Sequence, residues 1–488
     1  MSNREEARRR PASQHLAACA AAANFQRIGG EAFRRDARRA TLRAYRLHLK
    51  VDRAWCWFLF GLALLLTGFL IGPRVLPDKQ QETCVGNVEL PRPLGFSLNC
   101  DSPQFTWLAR DPAGLLEPQN ARQARPGLIL AAAFLQTPLS AVAPPGGPPK
   151  PAESGLRNPQ EISASVARDL PAYLAYVMLN FGILGASFLV LRKVLEGIGG
   201  ARKHDAWRTM IIVAAGLLLV ANDVTKAFVW SPHTQLFNIM VPIMAVHATL
   251  RVWSGSLLDR RFAAALGLAV GFGMTAYPVF VVIPVCCLLP GLVLILREKL
   301  PRLQRAAVVN LALLLALSAL PSALWYAFVR TVTGDFFHFE MAQGEVVWMA
   351  DAWAKGADVL LGTWLSYAGE LIAFAAPQAI PVMALAAVVA WVTVRHHCPL
   401  AVLRAAHPAM LAGLYVSVAT LGFYASVGWI AERLAYPMMP PLLAGAAAAA
   451  IAVLPQLKER GRRELAAGAL LAAVAQISYV IIKDGPWS

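Results

Sequence analysis

The chain has 488 residues, of which 57% are hydrophobic and 15% charged, and its mean hydropathy is +0.50. Soluble domains carry roughly 25% charged residues and less apolar mass, so this composition excludes a plain soluble globule and a disordered or collagen-like chain. The formal net charge is +16. In a soluble protein this charge would indicate an anionic partner such as nucleic acid, but in a membrane protein it must first be assigned to one side.

Residues 1–53 form a basic arm rich in Arg and Ala. We expect a cytoplasmic, solvated tail, or sequence upstream of a later start; a helix lying on anionic headgroups is the alternative, and nucleic-acid binding is not expected. Trp55–Gly72 follows this arm and lacks an Ala-x-Ala-like exit, which is typical of a signal anchor and not of a cleaved signal.

Apolar runs of about 20 residues predict membrane spans. The run Phe262–Leu296 is too long for one span, and Tyr277-Pro278 divides it into two short ones. The sequence therefore predicts an all-α, polytopic transmembrane bundle of about eleven spans in residues 54–488. Besides those two, the predicted spans are Trp55–Gly72, Leu170–Leu191, Thr209–Ala227, Leu236–Leu250, Ala306–Val329, Pro377–Val394, Pro408–Gly428, Ala435–Leu454 and Leu465–Ile482.

The apolar run Gly127–Val142 is short and holds Pro138, so it fits a helix at the membrane surface better than a span. If it does not span, Arg192-Lys193 and Arg202-Lys203 face inward, as the positive-inside rule prefers. With this topology 31 of the 45 Lys and Arg lie inside, and the outer side is slightly acidic. The N-terminus then lies in the cytoplasm, and residues 73–169, 330–376 and the C-terminus lie on the outer, periplasmic face of the plasma membrane.

The first outer segment holds Cys84 and Cys100, the two cysteines predicted to face outward. An oxidising compartment favours a disulfide between them, and two free thiols are the alternative. A metal site is not expected, because no nearby histidine completes a ligand set.

Ser102-Pro103 is a helix-start signal, so we predict a short helix over residues 104–111 at the membrane surface. These residues alone favour an N-cap role for Asp101. Arg122 and Arg125 precede the next apolar run, where they either anchor the chain at the interface or bind a lipid phosphate.

The order of these segments resembles the glycosyltransferase C superfamily, the polytopic enzymes that use polyprenyl-phosphate sugars. It is similar in particular to the branch of lipid A aminoarabinose transferases and protein O-mannosyltransferases. The matching residues are Asp101, Phe105 and Ala109-Arg110-Asp111, then Arg125-Pro126-Gly127-Leu128, Arg168-Asp169-Leu170-Pro171, Gly267-Leu268-Ala269 with Gly273-Met274-Thr275, and Glu432-Arg433-Leu434-Ala435-Tyr436-Pro437 with Pro440-Pro441-Leu442. The chain departs from the pattern at Ser102, at Gln104, at Ala276 and in an insertion over 144–165.

The resemblance implies a glycosyltransferase with juxtamembrane helices in its first outer segment. It moves a sugar from a polyprenyl-phosphate donor to a glycan, lipid or protein acceptor. Asp101 is then the catalytic base. The expected ligands of the lipid phosphate or donor are Arg110, Arg125, Arg433 and Lys226, and the acceptor or supporting residues are Asp111, Phe105, Asp223 and His233.

Structural roles compete with several of these assignments. Asp223 and Lys226 can pair on one helical face, and Arg433 can pair with Glu432. Gly267 and Gly271 favour close helix packing. The carboxylates and Trp residues of 330–376 suit either carbohydrate or an aromatic belt. A divalent cation at Asp101 stays open, as do a lipid or polysaccharide transporter or flippase and a non-catalytic membrane scaffold.

Overall fold

A computed structural model describes residues 53–76, 85–91, 93–142, 164, 167–198, 205–298 and 300–485. Within these residues the protein is predominantly helical, and eight helices are long and apolar enough to cross a membrane. The chain is therefore a multi-pass membrane protein. The predicted basic arm, except Arg53, and Cys84 lie outside the described residues.

Each predicted span coincides with a described helix, in the predicted order and with differences at the ends. In chain order the described helices and strands are α1 (Arg53–Ile71), β1 (Val85–Glu89), β2 (Gly95–Asn99), α2 (Ser102–Arg110), α3 (Pro126–Leu139), α4 (Leu170–Glu196), α5 (Ala206–Val220), α6 (Asp223–Phe228), α7 (Phe237–Trp253), α8 (Arg260–Ala276), α9 (Val282–Arg297), α10 (Pro301–Thr333), α11 (Phe339–Ala342), α12 (Val347–Lys355), α13 (Ala357–Gln378), α14 (Ile380–Arg395), α15 (His407–Val427), α16 (Glu432–Ala435), α17 (Met439–Val453) and α18 (Glu459–Ile482).

The break expected at Tyr277-Pro278 is confirmed, since α8 ends at Ala276 and a 3-10 turn leads into α9. The predicted span Thr209–Ala227 is wrong at its end. There α5 stops at Val220, and the Asn222 side chain caps α6 by accepting from the Thr225 N–H at 2.9 Å. The short helix α3 has 14 residues, about 21 Å, which is less than the hydrocarbon thickness. The number of spans stays a prediction.

All but the last two residues of α13 lie in the segment predicted as the second outer loop, yet it is one of the eight helices long and apolar enough to span. Trp364 donates to Ser426 Oγ at 3.2 Å, and Gln378 donates to the Glu432 carbonyl at 3.0 Å. Trp364 and Gln378 are 14 residues apart in α13, which is about 21 Å along the helix axis. Ser426 lies in the last turn of α15 and Glu432 begins α16, so α13 runs along the connection between these two helices.

A β-hairpin is the main departure from the predicted all-α fold. Strands β1 and β2 pair antiparallel from Val85 opposite Asn99 to Glu89 opposite Gly95. Leu98 and Cys100 pack against Tyr173 and Val177 of α4, which attaches the hairpin to the bundle. Below, the end of the bundle that carries this hairpin is called the hairpin end.

Cys100 directly follows β2 and is disulfide-bonded, as the sequence predicted for it. Its expected partner, Cys84, lies outside the described residues. The free cysteines of the described part are Cys56, Cys286, Cys287 and Cys398.

Two glycines bring α8 and α10 together, as the sequence favoured. A Cβ on Gly267 would lie 2.8 Å from the Leu314 carbonyl oxygen, and one on Gly271 would lie 2.5 Å from that of Leu317. Only glycine therefore permits this backbone approach, which is the usual means of packing helices in a membrane.

We expect Gly271→Ala to lower the unfolding temperature, because the added methyl group must push the α10 backbone away, at about 1–3 kcal/mol. The matched control is Gly182→Ala on α4, where an added Cβ meets nothing within 4 Å. Thermal unfolding of both variants in detergent tests this. Equal unfolding temperatures for the two variants would show that the contact is not tight.

Candidate functional site

Asp101 occupies the N-cap position of α2 but does not act as a cap. Its carbonyl accepts from the N–H groups of Gln104 and Phe105 at 3.1 and 3.2 Å, which starts the helix. The N-cap position expected from the residues is therefore confirmed, but the side chain makes no capping hydrogen bond. The carboxylate is instead free to bind groups from other segments.

Arg122 is the principal partner of Asp101. Its Nη2 lies 2.8 Å from Asp101 Oδ2. The guanidinium is buried, its Nε donates to Gln104 Oε1 at 3.1 Å, and its Cζ lies 4.8 Å from the Phe105 ring centroid. Gln104 and Phe105, both in α2, thus orient Arg122, which in turn binds Asp101, the residue before α2.

His233 is the second group at Asp101, with Nε2 3.5 Å from Oδ2. Its Nδ1 accepts a hydrogen bond from the Thr234 backbone N–H at 2.9 Å, so the ring proton belongs on Nε2, facing the carboxylate. The rings of Phe105 and Phe228 enclose the imidazole. Burial lowers the pKa of His233 to about 4, although Asp101 opposes this, so the ring is neutral at pH 7.

Asp101 itself is ionised at neutral pH. Burial works against its charge, but Arg122 and the His233 N–H overcome that effect and hold the pKa of Asp101 well below its usual range. The site thus presents a fixed carboxylate between one cation and one neutral donor.

Arg110 and Arg125, two of the expected phosphate ligands, form ion pairs within the protein. Arg110 Nη1 lies 2.7 Å from Asp169 Oδ1, whose side chain is fully buried. Arg125 Nη2 lies 2.5 Å from Glu340 Oε1, and its guanidinium packs over the Tyr277 ring. Their role toward a phosphate stays a prediction, and any phosphate would compete with these carboxylates.

The segment that supplies Glu340 lies against the first predicted outer segment. The Phe337 N–H donates to Gln123 Oε1 at 2.6 Å, and Trp325 of α10 donates to the Gln123 carbonyl at 2.7 Å. His338 Nδ1 lies 3.3 Å from the second oxygen of Glu340. Residues from both predicted outer segments therefore contribute to the surroundings of Arg125.

Arg433 differs from the other expected ligands. Within the described residues Arg433 has no hydrogen bond or ion pair, so the expected pair with Glu432 is not formed. Its guanidinium carbon lies 5.4 Å from the centroid of the Trp429 ring. It lies within electrostatic reach of Asp101, Arg122 and Tyr277. An added anion could bind it without displacing a protein carboxylate.

Asp223 and Lys226 do not form the predicted pair. Asp223 Oδ2 is 3.0 Å from Lys483 Nζ, just after α18. Lys226 Nζ donates to the carbonyls of Val480 and Lys483 at 2.9 and 2.5 Å, so it closes the C-terminal end of α18. Burial lowers the pKa of Lys226 to about 8, despite Asp223. Asp111, another expected supporting residue, occupies the C-cap position of α2.

A divalent cation at Asp101 does not fit this geometry. No group of three His, Cys, Asp or Glu side chains in the described part of the chain could hold one. The Arg122 guanidinium already lies at 2.8 Å from the carboxylate, so a further cation would meet its positive charge.

Sequence reasoning singled out Asp101, Phe105 and His233, and it offered Arg122 only as an interfacial anchor or a lipid-phosphate ligand. The pairing of Arg122 with Asp101, 21 residues earlier in the chain, was not predicted. Comparisons with protein families, curated proteins and solved structures gave no match to this chain. The chemistry therefore has to be argued from the geometry.

His233 predicts a specific pH dependence of stability. The unfolded histidine protonates near pH 6.5 but the folded one only near pH 4, so the unfolded state binds more protons between these values. We expect stability to fall as the pH drops from about 7 to 4, by on the order of 3 kcal/mol from this residue.

His233→Gln removes this titration and keeps an N–H donor near Asp101. Unfolding temperatures of both proteins between about pH 7 and pH 4.5 measure the effect, and the decrease should be smaller in the variant. The same decrease in both proteins would mean that His233 does not titrate as the geometry implies.

Proposed function

We propose that the protein is an integral membrane glycosyltransferase that moves a sugar from a polyprenyl-phosphate donor to an acceptor hydroxyl. Two features of the site carry this proposal. Asp101 is an ionised, oriented carboxylate, and Arg433 lies within its electrostatic reach and has no anionic partner in the described residues. The resemblance to the glycosyltransferase C superfamily supports it.

In this reaction the acceptor oxygen forms a bond to the anomeric carbon as the bond from that carbon to the phosphate oxygen breaks. The acceptor proton passes to Asp101, and the lipid phosphate leaves with the electron pair. Attack opposite the leaving group inverts the anomeric centre, and Asp101 is then the general base.

The low pKa of Asp101 determines when the proton moves. A carboxylate paired with Arg122 is a weak base toward a free hydroxyl, whose pKa is far higher. The hydroxyl becomes acidic only as its oxygen bonds to the anomeric carbon. Asp101 therefore first orients the hydroxyl and takes the proton late, and the His233 N–H holds the carboxylate in place.

The leaving phosphate gains charge and needs a cation in place before the reaction starts. Arg433 is uncommitted, whereas Arg125 would have to exchange Glu340 for the phosphate. A planar guanidinium suits this task because it donates two parallel hydrogen bonds to phosphate oxygens.

The distribution of charge supports an outward orientation of the hairpin end, on the periplasmic side of the plasma membrane. Most of the Lys and Arg lie in segments assigned to the cytoplasm under this orientation. A lipid-linked donor then reaches the site from the outer leaflet, and the protein acts in the cell envelope.

The first test replaces Asp101 by Asn. We expect sugar transfer to fall by about 10²–10⁴, the usual contribution of a general base, while binding of polyprenyl phosphate is retained. The control is Glu117→Gln, an exposed carboxylate of the same segment. Mass spectrometry of glycans and glycolipids from cells with and without the gene identifies the product, and unchanged transfer by D101N would refute the assignment.

The second test concerns Arg433. We expect Arg433→Gln to weaken binding of polyprenyl phosphate in nanodiscs about tenfold, because one charge-assisted contact is lost. Arg330→Gln, near the end of α10 where the side chain is exposed and bonded to Tyr326, is the control. Equal binding by R433Q and R330Q would contradict the role, and substrate uptake into proteoliposomes without chemical change would instead indicate a transporter.

A further inference from the structure

A cluster of charged side chains lies at the end of the bundle opposite the hairpin end. It is formed by Arg395 and His396 at the end of α14 and by Arg460 and Glu464 near the start of α18, and is called the Glu464 cluster below. The other end of α18 is bound by Lys226 of α6 at the hairpin end. Since α18 has 24 residues, about 36 Å, the cluster is remote from Asp101 and its partners.

Glu464 is contacted by basic side chains from both helices. His396 Nε2 lies 2.9 Å from Glu464 Oε2, and Arg395 Nε lies 3.6 Å from the same oxygen. Arg460 Nε donates to the other oxygen, Oε1, at 3.1 Å. An arginine is charged at every physiological pH, so two permanent cations share one carboxylate. The Glu464 cluster therefore has a net positive charge.

Both arginines are accessible and have donors to spare. The Arg460 side chain is 76% exposed and that of Arg395 is 43% exposed. Neither of them makes a hydrogen bond through its terminal Nη atoms within the part of the chain that the structure describes. Because both Nε atoms approach the carboxylate of Glu464, the two guanidinium groups lie side by side. An anion with several oxygen atoms can bind the Nη groups of both without displacing Glu464.

Close packing of α14 against α18 keeps the two arginines at this spacing. A Cβ on Gly461 would lie 3.1 Å from the His396 ring, and one on Gly468 would lie 2.6 Å from the Val388 side chain. Two glycines, seven residues apart, thus let the helices approach closely beside the cluster. The pair of cations is therefore part of a rigid helix contact and not of a loop.

The surface beside the two arginines is apolar. Trp391 lies one turn before Arg395 on α14 and is exposed, and the Arg395 Cζ lies 5.0 Å from its ring centroid. Leu471, also exposed, lies 11 residues beyond Arg460 and hence on the same face of α18, about 16 Å further along a helix that is able to span. Tryptophan and arginine next to exposed apolar side chains are typical of the headgroup level of a bilayer.

We propose that the Glu464 cluster binds the phosphate group of an anionic phospholipid, whose acyl chains lie along Trp391 and Leu471. The Arg395 and Arg460 guanidinium groups each donate to the phosphate oxygens, and the negative charge of the lipid offsets the net charge of the cluster. A zwitterionic lipid is bound less well, because its own cationic group opposes the cluster. This binding is independent of the transferase proposed above.

The test measures lipid binding to the purified protein by native mass spectrometry. Phosphatidylglycerol is titrated against phosphatidylcholine with the same acyl chains, and we expect phosphatidylglycerol to bind in preference. Arg460→Gln and Arg395→Gln should each reduce its affinity about tenfold, because one charge-assisted contact is lost. Binding of phosphatidylcholine should stay unchanged. Absence of a preference for phosphatidylglycerol in the unmodified protein would overturn the proposal.

Arg463→Gln is the matched control. Arg463 lies on the same helix, is 68% exposed and has its Nε 3.4 Å from a carboxylate four residues earlier, but its pair with Glu459 is one-to-one and carries no excess charge. We expect R463Q to retain the lipid affinity. Equal losses in R460Q and R463Q would assign the preference to general surface charge and overturn the site.

Inorganic phosphate separates a lipid from a soluble anion. Its effect on the unfolding temperature is measured for the unmodified protein and for R460Q. Stabilisation by inorganic phosphate that is lost in R460Q, together with unchanged lipid binding, would assign the same phosphate chemistry to a soluble source and overturn the lipid. Unfolding temperatures without ligand show that each variant folds, which is expected because Arg460 is largely exposed.

Discussion

The ion pair between Asp101 and Arg122 is the interaction on which the hairpin end depends. It joins the residue before α2 to the segment that leads into α3, with the Arg122 side chain 8% exposed and the Asp101 side chain 27% exposed. The buried guanidinium without its partner would be strongly unfavourable, so the pair holds the two segments together. This pair therefore ties the position of α2 to that of the segment that carries Gln123, whose contacts reach the second predicted outer segment.

A second constraint is the turn between α6 and α7. Asn180 of α4 donates to the carbonyls of Phe228, Val229 and Ser231 at 3.0–3.1 Å. Ser231 Oγ in turn accepts from the Asn99 N–H at the end of β2. A chain of buried hydrogen bonds therefore runs from α4 through the turn to the hairpin, and it places His233 beside Asp101. Both partners of the carboxylate are fixed by the surrounding structure before any ligand arrives.

Hydropathy predicted most of the bundle, because long apolar helices are required by the absence of water in a bilayer. The break at Tyr277-Pro278, the helix beginning at Ser102 and the close packing at Gly267 and Gly271 were also readable, since each has a local steric cause. The hairpin was missed: its five-residue strands lie in a loop, and their stability comes from packing on α4. The pair of Arg122 with Asp101 was missed because the choice of ion-pair partner depends on tertiary position. Sequence neighbours predicted Glu432 as the partner of Arg433 and Asp223 as the partner of Lys226, and neither pair forms in the described residues.

The bonds from Lys226 to the end of α18 join residues more than 250 positions apart in the chain. These carbonyls lie at the end of the last described helix and just after it. The Lys226 amine therefore lacks these partners while the intervening helices are synthesised and inserted. The hairpin end is thus completed only after α18 has entered the bundle. Assembly order during biosynthesis is therefore built into this contact: the earlier helices can be in place while the region around α6 is still incomplete, and its contacts are complete only once α18 is present.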